Sequence, residues 1–169
     1  MKITISIVAA LLLTPRARAE YRTVNMTVFG MDCAPCAHAV HVSVKGIQGV
    51  NTVTVDLNTG LVQIQLAPEN HADMRQIEQA IEKNGFTHKD AKVVVRGTVT
   101  GAANAFVLQV AGTGDHYALQ AAAAPADLAA LSGKIVEVQG TLPQAAKGRI
   151  PDTLRYSSVI AAPLAAGGQ

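Results

Sequence analysis

The sequence predicts an α+β chain built from two consecutive units, and three observations carry that reading. By apolar periodicity, residues 22–89 run strand, helix, strand, strand, helix, strand. Beyond about Asp90 the pattern changes to five short strand-like segments, with one short helix between the third and the fourth. Aromatic residues make up 4% of the chain and Trp is absent, so both cores must be built from Val, Ile, Leu and Ala. Two amphipathic helices over a four-stranded antiparallel sheet form the split βαβ, ferredoxin-like βαββαβ arrangement. Five strands with a helix between the third and fourth have the order of a small OB-like β-barrel. The expected limits are a targeting segment over 1–19, a ferredoxin-like unit over 20–90, a barrel over 91–161 and a disordered tail over 162–169.

Each element follows from local pattern. Thr23 to Phe29 is the first strand. From about Pro35 to Lys45, Val40, Val44 and then Ile47 repeat at helical spacing, and Gly46 and Gly49 end the helix. Val53, Val55 and Leu57 alternate with polar residues, Asn58-Thr59-Gly60 turns the chain, and Val62, Ile64 and Leu66 form the partner strand. The second helix is expected to open at an Asn70 cap with Asp73 at the reciprocal position. Its buried stripe is Met74, Ile77 and Ile81, and Asn84-Gly85 stops it. A short strand begins near Phe86. In the second unit, Lys92–Thr100, Ala105–Val110, Tyr117–Ala121, Lys134–Leu142 and Arg155–Ala161 read as strands and Ala126–Leu131 as a helix.

The N-terminus reads as an export signal. Lys2 precedes an apolar run from Ile3 to Leu13, and Ala17-Arg18-Ala19 fits a small-x-small cleavage site. The run is shorter than the roughly 20 residues needed to cross a bilayer, so no integral membrane segment is expected after cleavage. Removing Lys2, Arg16 and Arg18 from 14 basic residues leaves 11 against 12 acidic ones, a formal charge of −1. That balance gives no basic footprint for nucleic acid. Residues 92–169 hold six basic and four acidic residues with three aromatics, too little for a stacking and phosphate-binding face.

The chemistry concentrates at Gly30-Met31-Asp32-Cys33-Ala34-Pro35-Cys36, which holds the only two cysteines. The C-x-x-C spacing falls between a strand and the start of a helix, where backbone N–H groups and the helix dipole favour thiolates. Two converging thiolates suit a soft metal ion or a reactive dithiol, and the residues alone leave both open. The chain cannot supply the four thiolates of a closed structural zinc site. His38 and His41 fall off the buried helix stripe; His71, His88 and His116 read as surface residues. No Ser/His/Asp set, carboxylate pair or phosphate-binding glycine loop stands out, so a non-enzymatic role is expected.

On these residues the segment 23–89 resembles the heavy-metal-associated (HMA) domain of copper chaperones, metal-pumping P-type ATPases and the periplasmic mercuric-ion-binding protein. The matching features are Gly30-Met31-x-Cys33-x-x-Cys36, Val40, Val44, Gly49-Val50, Val53, Val55, the stretch Ile77 to Ile81, and Gly85-Phe86. The resemblance implies that Cys33 and Cys36 bind one thiophilic ion, Cu(I) or Zn(II), Cd(II) or Hg(II). It implies that Met31 tucks inward and that Phe86 packs beneath the loop. A membrane metal transporter or another cysteine-containing protein is the implied acceptor, reached by thiolate exchange outside the cytoplasm, in the periplasm or an equivalent space. Asp32 stands where copper and mercury members mostly carry Thr, and is a candidate auxiliary ligand that suits divalent zinc, cadmium or lead. Two rival readings use the same chain: a periplasmic thiol–disulfide oxidoreductase, and an adhesion or scaffold protein with a vestigial site.

Overall fold

Val24, Met26 and Val28 alternate along β1 (Glu20–Phe29) and turn one side of the strand into the core. The structure, a computed structural model, describes residues 20–103 and 105–162; the expected signal segment and all but the first residue of the expected tail lie outside them. After β1 come α1 (Ala34–Lys45), β2 (Val50–Asp56), β3 (Leu61–Leu66), α2 (Met74–Glu82) and β4 (Thr87–Ala102). These strands pair antiparallel in the order β2-β3-β1-β4, the ferredoxin-like order. Val40 and Val44 of α1 and Met74, Ile77 and Ile81 of α2 are buried against that sheet.

Two local expectations are corrected. The N-cap of α2 is Asp73, not Asn70: Asp73 accepts from Gln76 N at 2.7 Å, and the Gln76 side chain accepts from Asp73 N at 3.2 Å. The Asn70 side chain is occupied elsewhere. Its Nδ2 donates to the carbonyls of Tyr21 and Ala67, both at 2.8 Å, and its Oδ1 accepts from Ala72 N. His88 is buried rather than on the surface, because it faces inward on β4 opposite Val28, with Nδ1 3.0 Å from the Lys89 carbonyl.

The change of pattern near Asp90 does not break the backbone into two strands. The short strand expected from Phe86 and the one expected over Lys92–Thr100 are a single strand, β4. Between Ala91 and Arg96 it is flanked by β1 on one side and by β7 (Ile135–Leu142) on the other. From Thr98 to Ala102 its partner on the β1 side becomes β5 (Ala105–Gln109). Then β6 (His116–Ala121), α3 (Leu128–Leu131), β7 and β8 (Thr153–Ala161) complete a closed ring in the order β4-β5-β6-β8-β7-β4. The β6–β8 pair is parallel, reached through α3 and β7; the other pairs are antiparallel. Gly97 sits at the switch of partners. A Cβ there would lie 2.6 Å from the Gln109 carbonyl oxygen and 2.8 Å from Leu108 Cδ1, so a side chain would block the approach of β5.

Buried polar groups join the two units. Asp115 Oδ2, in the loop before β6, accepts from Tyr21 Oη at 2.7 Å, from Met74 N at the start of α2 at 3.1 Å and from Tyr117 Oη at 3.3 Å. The Tyr21 and Tyr117 hydroxyls also touch each other, and both side chains are fully buried. One carboxylate thus ties β1, α2 and β6 together. Burial pushes both phenols well above their ordinary range. One turn along α2 from Met74, Glu78 is also buried; its carboxyl is pushed up to about 7 by that burial, with the charges of Glu82 and Asp115 adding and Arg75 opposing.

Because β4 belongs to both sheets, the full chain should unfold in one cooperative transition; two separate calorimetric transitions would show that the units are independent. At pH 5, Asp115→Ala should lower unfolding free energy by about 2–4 kcal/mol, since three buried donors lose one acceptor. Glu78 gives a pH signature. Its carboxyl titrates near 4.5 when unfolded and about 7 when folded, so the folded chain holds the extra proton between those values. Stability should therefore decline as pH rises from about 4.5 to about 7 and level off above. In denaturant titrations at pH 5 and 8, Glu78→Gln should shrink that decline; an unchanged slope would remove Glu78 as its source.

Candidate metal centre

The site is built where β1 hands the chain to α1. Gly30 leaves the strand at φ +89°, a conformation that L side chains rarely adopt, and a Cβ there would lie 3.3 Å from Phe86 Cδ1. Met31 then turns into the core and is buried, while Asp32 and Cys33 are exposed. Cys33 has extended backbone and caps the helix: Cys36 N donates to Cys33 Sγ at 3.2 Å, and Ala37 N donates to the Cys33 carbonyl at 3.1 Å. Pro35 fits the first turn, whose N–H groups have no intrahelical acceptor anyway. Cys36 is half-buried and rests against the core.

The two sulfurs are joined as a Cys33–Cys36 disulfide across a Cα–Cα distance of 5.1 Å. The loop thus holds the thiols close enough to bond to each other at the positive end of a 12-residue helix with no acid in its first turn. That end stabilises thiolate once the bridge is reduced. Reduced, two soft sulfur donors on an exposed loop fit a thiophilic ion and leave coordination open to an incoming ligand. Oxidised, they have no lone thiolate to offer a metal.

Phe86, half-buried, lies against Gly30 from the end of α2, as expected from the resemblance, and Lys89 Nζ stands 5.0 Å from the ring centroid of exposed Phe29. Asp32 precedes the pair on the same loop. Among the described residues no three His, Cys, Asp or Glu side chains gather as a metal-binding group, so neither Asp32 nor His38 or His41 completes such a set in this conformation. His38 is exposed and His41 half-buried on α1; His71 and His116 are exposed.

Sequence reasoning missed what lies behind Phe86. A recess of about 130 Å³ is lined by Glu82, Phe86 and His88 from the first unit and by Gln144, Ala145 and Lys147 from the loop between β7 and β8. Beside it Gln144 N donates to Asp90 Oδ1 at 2.8 Å, across 54 residues of sequence. No periodicity or motif links positions so far apart; only the ring closure of β4 with β7 brings them together.

Fold and loop define a class, a ferredoxin-like unit presenting a paired-cysteine loop at the start of its first helix. Residues 25–87 match the family described as the heavy-metal-associated domain. A copper chaperone CopZ of Staphylococcus saprophyticus is 34% identical over 67 residues, spanning 40% of this chain and 97% of that protein. The chain belongs to the heavy-metal-associated domain family. The copper-transporting ATPase HMA4 of Oryza sativa subsp. japonica is 38% identical over 73 residues, 43% of this chain but only 7% of the ATPase. Among solved structures, a CopZ metallochaperone shares 30% identity, with 39% of this chain and 97% of that one covered at a TM-score of 0.37. Oxidised MerP from Ralstonia metallidurans CH34 shares 22% identity over 40% of this chain and 93% of its own, also at 0.37. The family match ends at Thr87, where β4 begins.

Proposed function

We propose that this chain is a non-enzymatic metal-handling protein that captures one thiophilic ion through Cys33 and Cys36 and passes it on by thiolate exchange. The carrying observation is the paired sulfurs on an exposed loop at the N-terminus of α1, within a domain of the heavy-metal-associated family. Relatives named as a copper chaperone and a copper-transporting ATPase support Cu(I) as cargo and a membrane metal transporter or other cysteine-containing protein as acceptor. The carboxylate of Asp32 beside the pair supports Zn(II) or Cd(II) as competitors for the same site. The apolar N-terminal run and its small-x-small ending support work outside the cytoplasm. Among the described residues no helix is long and apolar enough to cross a membrane. The strand order of the second unit, with its parallel β6–β8 pair, supports an OB-type barrel that acts as a protein-docking module.

A second reading has its own observation. The disulfide across Cys33 and Cys36 is the form a thiol–disulfide oxidoreductase would cycle through. Metal stoichiometry separates the two. The reduced protein should bind one Cu(I) or Zn(II) per chain, and Cys33→Ser or Cys36→Ser should weaken binding by orders of magnitude. Affinity should fall as pH drops, because both thiols must lose protons before they ligate. If the double serine variant binds as tightly as wild type, the site is elsewhere; if the reduced wild type binds no metal and catalyses disulfide exchange, the redox reading stands.

The ion itself is decided at Asp32. A hard oxygen beside two thiolates favours a divalent ion of higher coordination and adds little for Cu(I). In competition titrations under reducing conditions at one pH, Asp32→Thr should weaken Zn(II) binding roughly 10- to 100-fold. Cu(I) affinity should stay nearly unchanged. Equal changes for both ions would reduce Asp32 to a local charge.

A further inference from the structure

The barrel does more than follow the metal-binding unit; its loop after β7 reaches back to Asp90 and to the recess behind Phe86, which abuts the start of the cysteine loop. Along the β1–β4 ladder, Met26 pairs with Ala91 and Val28 with His88, so the two β4 residues Lys89 and Asp90 oppose the single residue Thr27. This is a β-bulge, a device that re-aims neighbouring side chains and disrupts the ladder locally. The bulge lies between Phe86, which abuts Gly30, and Ala91, where pairing with β7 begins. At the bulge, the Asp90 carboxylate accepts from Gln144 N, two residues past the end of β7. The same loop closes one side of the recess behind Phe86.

We infer that Asp90 is a positioning residue for the cysteine loop: by tying residues 143–147 of the barrel to the bulge, it holds Phe86 against Gly30 and so restrains Cys33 and Cys36. The chain of contact runs from Gln144 N to Asp90, through the bulge to Phe86, and from Phe86 to Gly30, three residues before Cys33. Loss of the tie loosens the prop without removing core side chains, because Asp90 is exposed. The inference rests on the metal-transfer reading for its metal arm, but not for its thiol arm.

The test uses the reduced full chain and four variants: Asp90→Ala, Asp90→Asn, Phe86→Ala and the double Asp90→Ala/Phe86→Ala. Two rates are measured at pH 7: Zn(II) removal by the chromogenic chelator 4-(2-pyridylazo)resorcinol, and alkylation of Cys33 and Cys36 by iodoacetamide without metal. Asp90→Ala should speed both rates about three- to ten-fold, the scale of one hydrogen bond. Its thermal midpoint should stay within a few degrees of wild type. Asp90→Asn keeps the acceptor oxygen and should behave as wild type. Phe86→Ala should speed both rates more, and adding Asp90→Ala to it should change nothing further, since both act through the same ring. Unchanged rates in Asp90→Ala, or effects of the two substitutions that multiply, would overturn the inference. If the reduced chain takes up neither Zn(II) nor Cu(I), the metal-transfer reading fails while alkylation still decides the role of Asp90.

Discussion

One strand carries two sheets. β4 supplies the last strand of the ferredoxin-like unit and the first strand of the ring, and for six residues, Ala91 to Arg96, it has partners from both units at once. Its alternation is correspondingly simple: Ala91, Val93, Val95 and Val99 are all buried, although the first three pair with β1 and the last with β5. A strand hydrogen-bonded on both edges cannot serve as a hinge, because bending it breaks two ladders. What distinguishes this chain from a lone metal-binding domain gathers around that shared strand: the partner switch at Gly97, the Asp115 junction, and the contact between the loop after β7 and the bulge at Asp90.

The Asp115 junction shows how such a fusion is held without a large apolar interface. Its carboxylate oxygen replaces one of the acceptors that the first turn of α2 lacks, and at the same time receives two phenol hydroxyls. Glu78 lies nearby on α2 and holds its proton to about pH 7 because burial disfavours its charged form, with the charges of Glu82 and Asp115 adding. Folding is therefore favoured below about pH 7, where Glu78 keeps its proton, and weakened as that proton is lost.

What could be read from the sequence divides along range of interaction. The cysteine loop, both helices and the first three strands were legible because each is encoded locally: alternation in Val53 to Leu66, helical spacing in Val40 and Val44, and a glycine at each end of the loop–helix segment. The inward turn of Met31 and the place of Phe86 came only with the family resemblance. The capping box on α2 was read three residues early, since Asn70 and Asp73 are both good caps, and the Asn70 side chain is taken up by the Tyr21 carbonyl, remote in sequence, and by Ala67 and Ala72 nearby. The continuity of β4 was illegible for a related reason. Asp90 and Lys92 look like a polar break, but Asp90 sits in a bulge, Lys92 lies just beyond it, and both are exposed on one continuous strand. The Asp90–Gln144 contact left no local trace at all.

The cysteine pair can be a metal site or a disulfide, but not both at once, and the structure holds it as the disulfide. The same geometry serves either state: an extended Cys33 that caps the helix, a Cys36 in its first turn, and the Cys36 N–H aimed at the Cys33 sulfur. Chemistry decides between them through the surroundings. A reducing partner or prompt metal loading keeps thiolates available, whereas an oxidising compartment without metal closes the bridge. If this chain works outside the cytoplasm, as its N-terminal sequence suggests, its metal-free form is the one at risk of oxidation. Capture must then outrun bridge formation, or a reductant must reopen the pair. The exposed position of Cys33 suits both demands, because the face open to a metal donor is equally open to an attacking thiolate.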